Sequence, residues 1–113
     1  MTCQRITLAL TAALLVGTWS PTIAAQALGI GHAAFDEALL HAKRRQTFGR
    51  PIGRYQAVQW MLADMATDLE AARMLMYRGA VAKDTQDRCG VEAAMAKLYA
   101  SEAAHRATDK AMQ

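Results

Sequence analysis

Five basic residues lie near the middle of the chain, within a 12-residue stretch that contains no acidic residue: Lys43, Arg44, Arg45, Arg50 and Arg54. An arginine guanidinium is a planar fork of N–H donors that can bind two phosphate oxygens at once. Backbone N–H groups at a helix start near Gly53 would add to such a site. The cluster therefore indicates a phosphate or pyrophosphate site. A solvated basic end of a helix, favoured by the helix dipole, is the alternative.

Phe48 lies inside this cluster and is placed to cover an aromatic ring of a ligand. Tyr55 and Trp60 follow, but the stretch lacks the regular interleaving of basic and aromatic residues on which nucleic-acid bases stack. The net charge of +3 is also too small to require a nucleic-acid partner. The sequence thus favours a small phosphate-bearing ligand over nucleic acid.

The histidines and cysteines do not have the spacing of a metal site or of a nucleophilic centre. His32, His41 and His105 show no ligand-like spacing with one another or with a cysteine, and the Glu-x-x-His pattern of di-iron bundles is absent. Cys89 has no base near it in the sequence that would make it a nucleophile. We therefore predict no metal site and no catalytic residue, and we expect His105 to lie half-buried in a bundle.

The composition predicts one helical domain or part of one. The chain has 113 residues, of which 53% are hydrophobic, a fraction that argues against disorder. Its two cysteines cannot form a disulfide-rich scaffold. Alanine-rich segments towards the carboxyl end favour helix over strand.

Hydrophobic periodicity predicts three long helices. The first covers 23–46, the loop 47–53 follows with two glycines and a proline, and the second helix covers 54–83. The apolar stripes of these two helices contain Leu28, Phe35, Leu39 and Ala42, and then Val58, Met61, Leu62, Met65, Leu69, Ala72 and Met76. The third helix begins near Val91, and on or near one of its faces lie Val91, Met95, Leu98 and Met112.

These elements predict an all-α fold. Three long antiparallel helices joined by short loops form an up-down bundle, here three helices of a four-helix-bundle domain. The helical pattern continues to Gln113 without a capping signal, as in a truncated unit.

The first 24 residues differ from the rest of the chain. Arg5 precedes an uncharged run over 6–16, and small residues follow near Ala24. This pattern predicts either a signal-like segment or an apolar helix packed on the domain formed by 25–113. The run of 11 residues is too short for a stable membrane span, which needs about 20.

From about residue 23 onward, the chain resembles the C-terminal helical domain of acyl-CoA dehydrogenases. Residues 45–52 read Arg-Gln-Thr-Phe-Gly-Arg-Pro-Ile and match the Arg-x-x-Phe-Gly loop of that family. Further matching segments lie in family order at 24–31, 55–59, 62–65, 70–73 and 94–102. The resemblance covers roughly 90 of the 113 residues.

The resemblance implies a flavoenzyme domain that contacts FAD held mainly by a neighbouring subunit. By that analogy Arg45 contacts the pyrophosphate, Thr47 and Phe48 line the cofactor, Tyr55 and Gln56 sit beside it, and Gln113 matches a cofactor-contacting glutamine. The implied reaction is the α,β-dehydrogenation of an acyl-CoA thioester, in which a Glu base removes the α-proton and the flavin takes the hydride. The implied setting is a cytoplasmic homo- or hetero-oligomer that packs through helical faces.

The chain also departs from the family pattern. The domains that build most of the flavin and substrate pocket are missing, and one usual position of the catalytic Glu lies beyond Gln113. The alternative position falls near Trp19 and Ser20, and neither residue is a base of that kind. No catalytic residue is therefore carried over, and we expect the chain to be inactive alone. Two further hypotheses remain open: an exported or non-catalytic helical interaction module, and a subunit that supports another dehydrogenase by packing.

Overall fold

The computed structural model describes the backbone of residues 2–85 and 90–113 and the side chains from Thr22 onward within those ranges. Cys89 and most of the connection between the second and third helices lie outside the described residues. The elements are helix α1 (Thr2–Arg44), strand β1 (Gln46–Thr47), strand β2 (Arg50–Pro51), a 3-10 turn (Ile52–Arg54), helix α2 (Gln56–Thr85) and helix α3 (Gly90–Met112). The expected all-α class and the three packed helices are confirmed.

Two of the predicted boundaries need correction. The first helix starts at Thr2 rather than residue 23 and is 43 residues long, because the leucine- and alanine-rich run before residue 23 has high helix propensity. The segment 47–53, predicted as a plain loop, contains two short antiparallel strands and the 3-10 turn. The start of α2 differs from the prediction by two residues and that of α3 by one.

The predicted core faces of α1 and α2 are confirmed. Leu28 and Ala42 of α1 are buried, as are Met65, Leu69 and Ala72 of α2. All three helices meet at Gly31, where an added Cβ atom would lie 2.6 Å from Cδ2 of Leu69 and 3.3 Å from Cα of Ala104. Only a residue without a side chain fits this crossing without displacing a neighbour.

The predicted core face of α3 is wrong. Val91 and Leu98 are 68% and 66% exposed, and Met112 is also exposed. The buried face consists of alanines: Ala93, Ala96, Ala100, Ala103, Ala104 and Ala107. Alanines on the inner face let the helix axes approach closely, so the larger side chains remain outside. His105, expected to be half-buried, is exposed as well and lies 3.5 Å from Asp109.

Polar contacts fix α2 against α3 along one side. Arg106 Nε donates to Asp68 at 3.0 Å, and the Tyr99 hydroxyl donates to the same carboxylate at 3.2 Å. The hydrogen bond from Arg106, opposed in part by burial, lowers the pKa of Asp68 below its usual value, so this carboxyl is ionised at neutral pH. Lys110 Nζ adds a bond of 2.9 Å to Asp64.

A polar contact between described side chains also links α1 to α2. Arg73 donates to Nε2 of His32 at 2.8 Å. A guanidinium has only donors, so the histidine nitrogen is the acceptor in this pair.

Neither a membrane span nor a metal cluster is found in the part of the chain that the structure describes. None of its helices is long and apolar enough to cross a bilayer. The same residues contain no group of three or more His, Cys, Asp or Glu side chains that could hold a metal ion.

Candidate functional site

Residues 45–52 form a small antiparallel hairpin between α1 and α2, which we call the basic hairpin. Gln46 pairs with Pro51 and Thr47 with Arg50. The ladder continues by one step, because the carbonyl of Arg45 accepts a bond from Ile52 N at 2.9 Å. The hairpin therefore follows directly from the last turn of α1.

The hairpin tip has unusual backbone geometry. Phe48 has a φ of 53° and Gly49 a φ of 76°, so both central residues of the two-residue turn have positive φ. Type I′ turns require this combination, which matches the twist of the flanking strands. Glycine adopts positive φ freely, whereas for a phenylalanine it costs roughly 1–2 kcal/mol.

The Phe48 side chain is 93% exposed. A large apolar ring that is fully solvated and also held in a strained conformation gains nothing from the fold itself. Strained residues of this kind concentrate at binding and catalytic sites. Phe48 is therefore a candidate contact for something outside this chain.

Tyr55 contacts the hairpin through both its hydroxyl group and its ring. Its hydroxyl donates to the carbonyl of Thr47 at 2.9 Å, and its ring lies under the Arg50 guanidinium, 4.1 Å from ring centroid to Cζ. Neither contact was predicted from the sequence, although an aromatic residue five positions after an arginine was a possible signal. The backbone at Gly53 packs closely against α1: a Cβ atom at this position would lie 3.1 Å from the carbonyl oxygen of Ala42.

All five cations of the basic cluster are exposed. Within residues 22–85 and 90–113, no carboxylate lies within ion-pair distance of any of them. The backbone of Arg45 is fixed by the bond from its N–H to His41 O at 2.8 Å, while its side chain points to solvent. Arg45 can therefore reach an external anion without first breaking an internal ion pair.

Gln56 and Gln113 lie at the same end of the bundle as the basic hairpin. Gln56 is the first residue of α2 and is exposed. Gln113 lines a cavity of about 100 Å³ together with Ile52, the last residue of the hairpin, and His41, in the last turn of α1. The chain thus brings the six predicted site residues, which span 69 positions of sequence, to one end of the molecule.

The family model described as "Acyl-CoA dehydrogenase, C-terminal domain" matches residues 19–113. The chain belongs to the acyl-CoA dehydrogenase family. Within that family it corresponds to the C-terminal domain, and the basic hairpin lies between the first two helices of the domain.

Individual members of the acyl-CoA dehydrogenase family agree with this assignment. The chain is 54% identical to the mitochondrial short-chain specific acyl-CoA dehydrogenase of Bos taurus over 91 residues, which are 80% of this chain and 22% of that protein. It superposes on butyryl-CoA dehydrogenase from Megasphaera elsdenii with a TM-score of 0.81 and 42% identity, covering 83% of this chain and 24% of that one.

A structure described as PigA with FAD and proline gives a TM-score of 0.80 at 32% identity, covering 83% of this chain and 24% of that one. The chain therefore spans about a quarter of the length of the acyl-CoA dehydrogenases and related proteins that it matches.

Proposed function

We propose that this chain acts as the FAD-contacting C-terminal domain of an acyl-CoA dehydrogenase that removes hydrogen from the α and β carbons of acyl-CoA thioesters. One observation carries the proposal: the exposed phenyl ring of Phe48 is held at positive φ in a hairpin whose guanidinium groups form no ion pair with a described carboxylate. This arrangement fits a ligand that combines a phosphate anion with an aromatic ring. A structurally similar protein is described with FAD, which is such a ligand.

The six predicted residues have distinct roles in this proposal. Arg45 binds the pyrophosphate, Thr47 and Phe48 line the cofactor, and Tyr55 and Gln56 lie beside it. Gln113 contributes from the end of α3, near His41 and Ile52. When bound, FAD supplies the redox chemistry by accepting hydride from the β carbon of the substrate. None of the described residues is assigned as the base, so the chain has no activity alone.

We also propose that the chain works in a homo- or hetero-oligomer and not with nucleic acid. A hairpin with a single exposed aromatic residue covers only part of a flavin, so another polypeptide must enclose the rest. The outer face of α3 supports association, because Val91, Leu98 and Met112 expose apolar surface along one helix.

Co-expression tests this proposal. The 113-residue chain is produced with the N-terminal part of the bovine short-chain relative, which lies outside the 91 residues that match this chain. We expect the two polypeptides to co-purify and to carry FAD, seen as flavin absorbance, because each supplies part of one cofactor site. Light scattering gives the mass of the complex, and dehydrogenation of butyryl-CoA measures its activity.

The matched control replaces Arg45 with glutamine, which keeps length and polarity but removes the charge. The affinity of the complex for FAD, measured by titration, should fall about tenfold for this variant, the effect of losing one charge-assisted phosphate contact. A complex that forms yet never carries FAD, with either chain, would refute the flavin role.

We further propose that the chain is cytoplasmic and that its first 24 residues stay attached. Helix α1 runs unbroken past the predicted cleavage region, and Ala24 is fully buried in the core cluster, which contains residues of all three helices. Cleavage in that region would expose the buried side chain of Ala24 to solvent. Mass spectrometry of the purified protein should give the mass of the chain starting at Met1 or Thr2, whereas a start near Gln26 would contradict the proposal and favour export.

A further inference from the structure

Arg50 is the cation of the basic cluster that stacks on a described aromatic ring. Its guanidinium lies over the Tyr55 ring at 4.1 Å, whereas the other four cations make no stacking contact with a described aromatic residue. Stacking restricts the rotamers of a long side chain before any ligand arrives. It also occupies the flat face of the guanidinium and leaves its N–H edge free for hydrogen bonds.

The hairpin register places Arg50 near Arg45. Arg50 is the cross-strand partner of Thr47, so their side chains share one face of the hairpin. Arg45 comes two residues before Thr47 and therefore lies on that same face. The Cα atoms of diagonal neighbours are about 7–8 Å apart, which long side chains can span, so the two arginines can reach one ligand.

We propose that Arg50, held flat on the Tyr55 ring, is a second phosphate-binding guanidinium of the basic hairpin and grips the pyrophosphate of a dinucleotide together with Arg45. Tyr55 is then a positioning residue, which acts through Arg50 and through its bond to the Thr47 carbonyl. This inference rests on the proposed function and names the contacts that hold the ligand.

The other cations of the cluster are less suited to this role. Lys43 and Arg44 belong to the last turn of α1 and precede the hairpin, and Arg54 belongs to the 3-10 turn that follows it. Their exposed side chains must be ordered by the ligand itself, which reduces the net gain from each contact. Arg54 therefore serves as a matched control that removes the same charge a few residues away.

NMR titration of the full 113-residue chain with ADP tests the inference, since ADP carries the adenosine diphosphate part of FAD. We expect binding with a dissociation constant of about 1 mM, reported by the amides of Thr47 and Gly49. Arg50→Gln should weaken binding about fivefold, and Arg54→Gln should change it less than about twofold. Arg50→Lys should also weaken binding, because it keeps the charge but loses the planar fork.

Two tyrosine variants test the positioning role without relying on the ligand alone. The Arg50 side-chain protons should be shifted upfield by the Tyr55 ring in the free protein. Tyr55→Leu should abolish this shift and weaken ADP binding as much as Arg50→Gln does. Tyr55→Phe should keep the shift and most of the affinity, because the ring remains.

The outcomes separate this inference from the proposed function. If Arg45→Gln weakens ADP binding while Arg50→Gln behaves like Arg54→Gln, the role of Arg50 is refuted and the proposed function stands. If Tyr55→Leu loses the ring shift but binds ADP normally, the positioning role is refuted. If the unaltered chain shows no change at the hairpin in about 10 mM ADP, the inference is refuted, whereas the flavin role is decided by the FAD content of the co-expressed complex.

Discussion

Replacing Leu69 with alanine should lower the free energy of unfolding by about 3 kcal/mol. The Leu69 side chain is fully buried where the three helices meet, in a cluster with Leu28, Met65 and Ala100. Rigid helix backbones on three sides leave little room for the cavity to collapse, and an uncollapsed cavity is what makes such a substitution costly. Urea denaturation followed by circular dichroism measures the change.

The matched control is Leu40→Ala, which removes the same atoms from a partly exposed position on α1. Its effect should stay within about 1 kcal/mol, because exposed sites tolerate substitution. Equal losses for the two variants would mean that this three-helix contact is not the centre of the core.

Gly31→Ala provides a second check on the same contact. The new methyl group would lie 2.6 Å from Leu69 and 3.3 Å from the Ala104 backbone, so overpacking should outweigh the gain in helix propensity of about 1 kcal/mol. In the double variant with Leu69→Ala, that methyl enters space that Leu69 has vacated. The combined loss should therefore be at least about 1 kcal/mol smaller than the sum of the two. Additive losses would contradict this packing.

The core faces of α1 and α2 could be predicted from the sequence because both bury large aliphatic residues. Leu28 and Leu69 stand out at helical spacing, and a count of hydrophobic side chains finds them. In α3, counting large hydrophobic side chains selects Leu98, which is exposed to solvent. It overlooks Ala100, which is fully buried. Side-chain size is a poor guide to burial where helices pack closely, because the distance between the helix axes decides which residues fit. That distance cannot be read from the sequence of one helix.

The location of the candidate site was predictable, but its geometry was not. The basic cluster and the Arg-x-x-Phe-Gly motif both pointed to residues 45–52. A positive φ at Phe48 opposes the intrinsic preference of phenylalanine, so local propensity predicts a different backbone. The stack of Arg50 on Tyr55 depends on the hairpin register, which that backbone sets. The positions of the cations were therefore predictable, whereas the fold determined which of them stacks on an aromatic ring.

The strain at Phe48 implies that stability and ligand binding oppose each other at this residue. Phe48→Asn creates an asparagine–glycine pair, the sequence most favoured in type I′ turns. Because the phenyl ring is 93% exposed, its removal sacrifices almost no packing. We expect the isolated chain to gain about 1 kcal/mol of stability in urea denaturation, as the cost of the left-handed conformation is relieved.

The same substitution should lower the affinity of the co-expressed complex for FAD about tenfold, the typical effect of losing one aromatic stacking contact with a base. Tyr77→Asn is the control: it removes a half-exposed aromatic ring near the other end of α2 and should leave flavin content unchanged. If Phe48→Asn destabilised the chain, the ring would have a structural contact that explains its position. If it gained stability and kept FAD, nothing would explain why a strained, solvated phenylalanine occupies the turn. A gain in stability together with a loss of FAD is therefore the result that only a binding role for Phe48 predicts.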